Sequence, residues 1–342
     1  MTIAGSLFGV AFGDAMGRPT EFQKFDAISR VYGKHGPRSL PITGSHEMAL
    51  VTDDTQMTLY VGKALCDAAE SGFVTMSNLA ENLTREFIAW YHDPENGPGR
   101  APGGACMSAV GKMTRGADWW KATNPDSKGC GANMRVTPIG LANWLTPQQR
   151  SGIAQLQAAM THWHPTALAA ADVTQEAVHL LLNGTSPKDL LRQLIDYTFT
   201  AAKWDPREWV GDITDGGRKI TTTEVRAWAA QGWTETREIL ERVRKTWKHG
   251  TPSRKTDPCL VGGEGLIAEE ALGTALHCFL LFEGDPVGIV GRAAATGGDS
   301  DSIAAIAGSF AGAAYGLKAF PADWLGRIEY AAELEALALR LT

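Results

Sequence analysis

The stretch GGDSDSIAAIAGSFAGAAYG, residues 297–316, decides the fold. After the acidic opening Asp299-Ser300-Asp301-Ser302, the chain from Ile303 to Leu317 holds Ala, Gly and a few large apolar residues and reads as a buried helix. Gly308, Gly312 and Gly316 recur every four residues. One face of this helix therefore has almost no side chains, and another helix can approach it closely at some cost in helix propensity. The same glycine spacing pairs helices inside membranes. At 15 residues, however, this longest apolar run is short of the roughly 20 that a membrane span requires.

Almost at the other end of the chain, Val51-Thr52-Asp53-Asp54-Thr55 repeats the arrangement of carboxylates and hydroxyls at the edge of a helical stretch. Taken alone, each cluster is an N-cap with first-turn acids that the helix dipole favours. Taken together, four carboxylates at a core boundary are costly unless something positive neutralises them. No Lys or Arg lies within either cluster. Oxygen-only donors suit hard divalent cations, so the expectation is a divalent metal site assembled from both ends of the chain. If the two clusters meet, residues 1–342 form one all-α domain, with 204–249 as a possible lobe that holds five of the eleven Trp.

Composition agrees with a globular enzyme-sized chain: 342 residues, 44% hydrophobic, 20% charged, net charge −6 and no basic stripe. That balance argues against nucleic acid as the main partner, except as a modified base. Cys66, Cys106, Cys130, Cys259 and Cys278 are widely spaced and form no CxxC pair, which fits a reducing cytoplasm. The apolar opening 1–13 lacks a basic leader and reads as a first core helix.

Helical periodicity recurs at Leu79–Trp90, Ala177–Leu182, Leu190–Phe199 and along Leu266, Ile267, Ala271, Leu276, Phe279 and Leu280. Lys219–Val225 is the best strand candidate. Loops are expected at 18–43, 93–104, 122–131, 204–219 and 249–265, all rich in Gly, Pro, Asp or Asn. Two of these loops, Gly99-Arg100-Ala101-Pro102-Gly103-Gly104-Ala105 and Ser127-Lys128-Gly129-Cys130-Gly131, each precede a helix. Their backbone N–H groups could take phosphate oxygens, although most such clusters are only turns. The pair His162-Trp163-His164 lacks further ligands for zinc, and His164, beside Pro165, is expected to order the turn.

A third element, Gly13-Asp14-Ala15-Met16-Gly17-Arg18-Pro19-Thr20-Glu21, completes an ordered set. GDAMGRPTEF, VTDDTQMTL, GRAPGGACMSAV, GCGANMRVTPIGL, THWHP, GEGLIAEEALGTAL and GGDSDSIAAIAG together resemble the ADP-ribosylglycohydrolase family from first helix to last. The resemblance implies an all-α orthogonal helix bundle with a cleft holding two Mg2+ ions, Mn2+ in some members. By position it implies Thr52, Asp53, Asp54, Asp299, Asp301 and Ser302 as metal ligands, with Asp301 between the ions. It implies Glu21 as the catalytic carboxylate and, by a looser match, Asp93 as a helper; without it, Glu21 would read as an exposed loop acid. The resemblance also implies ADP-ribose contacts at Gly103, Gly104, Ser127, Gly129, Cys130, Gly131 and His162, while Arg135 is expected to support the fold.

Two departures stand out. Family members often have Gly-Asn-Gly at 129–131, so Cys130 replaces an amide, and Ser302 stands where many have Thr. The expected reaction is magnesium-dependent removal of ADP-ribose from a modified acceptor, ADP-ribosyl-arginine first, whether on a protein or a small molecule. The rivals are a non-catalytic ADP-ribose binder and a phosphohydrolase that cuts the diphosphate.

Overall fold

The computed structural model describes residues 2–342 except 43–46, 73, 213, 216–217, 220 and 249. Its helices are α1 Thr2–Gly17, α2 Phe25–Tyr32, α3 Asp53–Glu70, α4 Met76–His92, α5 Gly104–Met113, α6 Trp119–Ala122, α7 Thr137–Leu141, α8 Pro147–Ala159 and α9 Pro165–Leu182. They continue as α10 Pro187–Ala201, α11 Arg207–Val210, α12 Thr222–Trp247, α13 Cys259–Gly262, α14 Ala268–Leu281, α15 Pro286–Ala294, α16 Ser300–Tyr315 and α17 Ala331–Arg340. Among the described residues the only strands are the two-residue antiparallel pair β1 Thr214–Asp215 and β2 Arg218–Lys219. The all-α expectation holds.

Local chemistry sets the helix starts. Thr146, His164, Ser186 and Asp285 cap α8, α9, α10 and α15, each followed by Pro at the first helical position, where its missing N–H costs nothing. Thr221 and Glu224 close a capping box on α12, so most of Lys219–Val225 starts a helix rather than forming a strand. The threonines and valine there favour strands only in the absence of such a cap. A second correction concerns the loop expected at 18–43, which contains α2; Phe25, Ile28, Val31 and Tyr32 share one face of that helix, but it is only eight residues long and buries only Ile28. Met1, Thr43, His249 and four residues between 213 and 220 carried expectations and lie outside the described residues.

The bare glycine face of α16 lies against α1, the most extensive helix pair in the molecule. α1 carries its own ladder, Gly5, Gly9, Gly13 and Gly17, and everything from Gly5 to Gly17 is buried. A Cβ at Gly9 would fall inside the Gly308 carbonyl, one at Gly13 inside that of Ala304, and one at Gly17 against the backbone of Asp301. The backbones therefore touch directly, pinned at one end by Ser6 Oγ donating to Ser309 O at 2.9 Å. At the other end Thr20 Oγ1 lies 3.0 Å from Ser300 Oγ. Helix α3 packs against α4 and α17, α15 also packs on α1, and α14 packs on α15 and α16. The long α12 crosses α9, α10 and α14.

Gly9→Ala and Gly308→Ala each force a methyl into a carbonyl that backbone geometry holds in place. Each is expected to cost about 3 kcal/mol or more, measured by urea unfolding. Gly97→Ala, whose Cβ meets open space, should stay within about 0.5 kcal/mol of the parent.

Candidate active site

The α1–α16 contact delivers Asp14, in the last turn of α1, beneath the start of α3. Its carboxylate is fully buried and accepts from Thr52 N at 2.9 and 3.0 Å, Thr55 N at 3.0 Å and Thr55 Oγ1 at 2.5 Å. Two backbone donors at a helix N-terminus are satisfied in this way. Burial pushes the Asp14 carboxyl up to about 6, against the pull of those hydrogen bonds. From the other side Arg100 donates to Val51 O at 2.8 Å and pairs with Glu329, which also accepts from Val51 N at 3.1 Å. The Arg100 side chain is therefore committed to holding the entry to α3.

So held, Thr52 caps α3 and Asp53 and Asp54 enter its buried first turn. Asp299 caps α16, and Asp301 Oδ1 accepts from Ser302 N at 3.0 Å. Both clusters are thus ordinary N-caps and are also neighbours in space. Glu21, Asp299 and Asp301 bring one carboxylate oxygen each within 4.8 Å of one another. Glu21 is held there by Thr20, tied to Ser300, and by Phe22, whose N–H donates to Gly298 O at 2.9 Å. Phe22 takes a left-handed φ of +54°, a strained conformation of the kind that clusters at functional sites.

The electrostatics are one-sided. Burial, then Asp14 and Asp299, raise Asp53; burial, then Asp14, Asp53 and Asp299, raise Asp54; burial, then Asp299, Asp54 and Glu21, raise Asp301. Glu21 is pushed up to about 7 by burial and the charges of Asp299 and Asp14, with Arg18 pulling the other way. Asp54 Oδ1 is buried with no hydrogen-bond partner. An orphaned carboxylate oxygen amid mutually repelling acids fits a divalent cation: the donors are hard, partly preassembled and short of positive charge.

The remaining expected residues divide. Gly103 caps α5 and donates to Asp53 Oδ2 at 3.4 Å, and both Gly103 and Gly104 are exposed with open space over Cα. Ser127 is half-buried. Gly129 and Gly131 let their loop lie flat on the His162 ring, since a Cβ would come within 3.2 Å of Nε2 and 3.1 Å of Cε1 respectively. His162 is only 2% exposed and its Nδ1 meets Thr161 Oγ1 at 2.8 Å. Burial, then the Arg135 charge, lowers it to about 3, so it is a neutral floor to the loop. Cys130 Sγ donates to Asp299 Oδ2 at 3.0 Å. Asp93 is not brought into the carboxylate group: Tyr60 OH donates to it at 2.8 Å, beside a cavity of about 380 Å³ shared with Gln56 and Tyr330.

Arg135 supports the fold, donating to Gln157 and Thr161 over the Phe87 ring, and His164 caps α9. Two contributors escaped the sequence reading. Asp14 sat inside a quoted motif without a role. Lys128, the cation of its glycine loop, pairs with Glu269 at 2.6 Å and Glu235 at 3.0 Å, tying that loop to α14 and α12.

The ADP-ribosylglycohydrolase family model matches residues 2–342. The chain is 24% identical over 335 residues to the ADP-ribosyl-dinitrogen reductase glycohydrolase of Rhodospirillum rubrum, covering 97% of this chain and 91% of that one. It is 26% identical over 355 residues to the ADP-ribosylarginine hydrolase Tri1 of Serratia proteamaculans, covering 98% and 78%. Among solved structures it resembles an ADP-ribosylglycohydrolase-related protein complex with TM-score 0.68, 25% identity and coverage of 99% and 96%.

The repulsion has a measurable sign. A carboxyl raised on folding holds its proton in the native state where the unfolded chain releases it, so native stability falls as pH rises. In metal-free buffer Asp301→Asn is therefore expected to stabilise the chain by about 1–3 kcal/mol near pH 8, with the gain vanishing at about pH 4. Urea melts across that range test it, and a variant less stable throughout would contradict the reading.

Proposed function

The chain belongs to the ADP-ribosylglycohydrolase family, and on that premise we propose that it hydrolyses the bond between ADP-ribose and an arginine side chain, with magnesium as the working cation. The observation that carries this is the meeting of Glu21 with Asp299 and Asp301. The choice of arginine rests on the Serratia proteamaculans relative, an ADP-ribosylarginine hydrolase.

Thr52, Asp53, Asp54, Asp299, Asp301 and Ser302 are the proposed holders of two Mg2+ ions, with Mn2+ as the alternative. Bound there, two divalent cations would offset the crowded carboxylates, grip vicinal ribose hydroxyls and supply Lewis acidity beside the anomeric carbon. Glu21, beside Asp299 and Asp301, can accept the proton of the attacking water. A new C–O bond forms at the anomeric carbon as its C–N bond to the guanidine breaks, and the guanidine nitrogen takes up a proton from solvent. The positive charge that develops on the sugar ring faces Glu21 and the acidic pair beside it. The exposed N-terminus of α5 at Gly103–Gly104 and the glycine loop over His162 are proposed to hold the diphosphate through backbone N–H groups, with Lys128 setting the loop's position. Asp93 is retained as a helper acting through Tyr60.

The same reading takes 1–342 as one domain, with α12 packed on it rather than hinged. It also puts the protein in the cytoplasm, which suits five unpaired thiols. Among the described residues no helix is long and apolar enough to cross a membrane.

Incubation with an ADP-ribosyl-arginine peptide, followed by mass spectrometry of the products, is the test. Magnesium-dependent release of intact ADP-ribose is expected, abolished by chelator and by Asp301→Ala. Glu21→Gln should slow turnover by about 10²–10⁴-fold. AMP with ribose phosphate would identify a phosphohydrolase instead, and tight binding with no product would identify a binder.

A further inference from the structure

We propose that Cys130 is itself a metal ligand, so that the subsite made with Asp299 and Ser302 takes a thiophilic divalent cation of the class of Zn2+, Co2+ or Cd2+. The inference rests on the metal reading above and adds a sulfur donor to it.

Three observations carry it. First, Cys130 Sγ lies 3.0 Å from Asp299 Oδ2 and 3.5 Å from Ser302 Oγ. Donors bound to one cation through bonds of about 2.0–2.3 Å stand about 3–3.5 Å apart, so this thiol already occupies a ligand's place relative to two oxygens. Second, the thiol is fixed from its backbone. Cys130 N donates to Leu266 O at 3.2 Å, and Cys130 O accepts from Asn133 N at 2.7 Å and Met134 N at 3.0 Å. Third, the group looks incomplete without a cation, because Asp54 is 98% buried and its Oδ1 has no partner. A second sulfur, Met134 Sδ, lies 3.7 Å from Ser302 Oγ, so the surroundings are softer than oxygen donors alone would make them. A buried structural cysteine ordinarily sits among apolar groups, whereas this one faces carboxylates. On coordination the S–H bond breaks, a sulfur–metal bond forms and the proton leaves to the buffer. No oxidation is involved.

The test uses the full chain, metal-free, titrated with Cd2+ or Co2+ and followed by the sulfur-to-metal charge-transfer absorption. Mg2+ and Mn2+ binding is measured in parallel by calorimetry. The expected result is a band that saturates and is lost in both Cys130→Ser and Cys130→Asn. Cd2+ affinity should fall by about tenfold or more while Mg2+ binding persists. Circular dichroism identifies whichever variant is folded, and either one suffices. Mg2+ binding without a charge-transfer band in the parent overturns this inference alone and leaves Cys130 a hydrogen-bond donor to Asp299. A band that survives in the folded variants also overturns it, since another cysteine then supplies the sulfur. Failure of every divalent cation to bind overturns both this inference and the metal reading beneath it.

Discussion

The direct contact between the backbones of α1 and α16 is the constraint on which the site depends. Gly5, Gly9, Gly13 and Gly17 face Gly312, Gly308, Ala304 and the start of α16 with no side chain between them. Where helices meet through long side chains, rotamer changes can absorb small shifts; here none are available. Asp14, in the last turn of α1, therefore has a fixed relation to Asp299 and Asp301 at the facing start of α16. Asp14 then fixes α3 through two backbone N–H groups, which carries Asp53 and Asp54 to the same place. Three elements distant in sequence are aligned by backbone geometry and one buried carboxylate.

That alignment runs against the electrostatics of the side chains it gathers. Asp14 is repaid by hydrogen bonds. Asp53, Asp54 and Asp301 are raised by burial and by one another, and Glu21 shares the same field. A fold selected only for stability would hardly keep them together. The stabilising contacts lie around the acids rather than among them. Examples are Arg100 on Glu329, Lys128 on Glu269 and Glu235, and Arg135 inside the core.

Much of this was legible in the residues. The two acid–hydroxyl clusters announced both the caps and the neighbourhood, because an N-cap and a ligand set need the same small oxygen-bearing side chains. The glycine period of 308–316 announced a close helix, although its partner ladder in α1 went unread; a run so uniformly small and apolar shows no face. Helix α2 escaped because its apolar face spans only eight residues within a stretch rich in Gly and Pro, and the capping box of α12 because a cap is a side-chain contact between Thr221 and Glu224 that periodicity does not register. Asp93 and Cys130 mark the limit of positional analogy. Which oxygen Tyr60 contacts, or that a thiol would face Asp299, depends on side-chain packing that spacing does not encode.

The span of the α1–α16 contact has a consequence for synthesis. Ser6 and Ser309 are hydrogen-bonded partners separated by 303 positions. At about 5–20 residues per second, α1 waits roughly 15–60 s after emerging before its partner exists. During that interval a largely apolar helix has no surface to cover it, which makes it a natural client for chaperones. A nascent chain stopped short of α16 has Asp53 and Asp54 but neither Asp299 nor Asp301 to face them. Assembly of this acidic group is thereby reserved for chains translated through the start of α16.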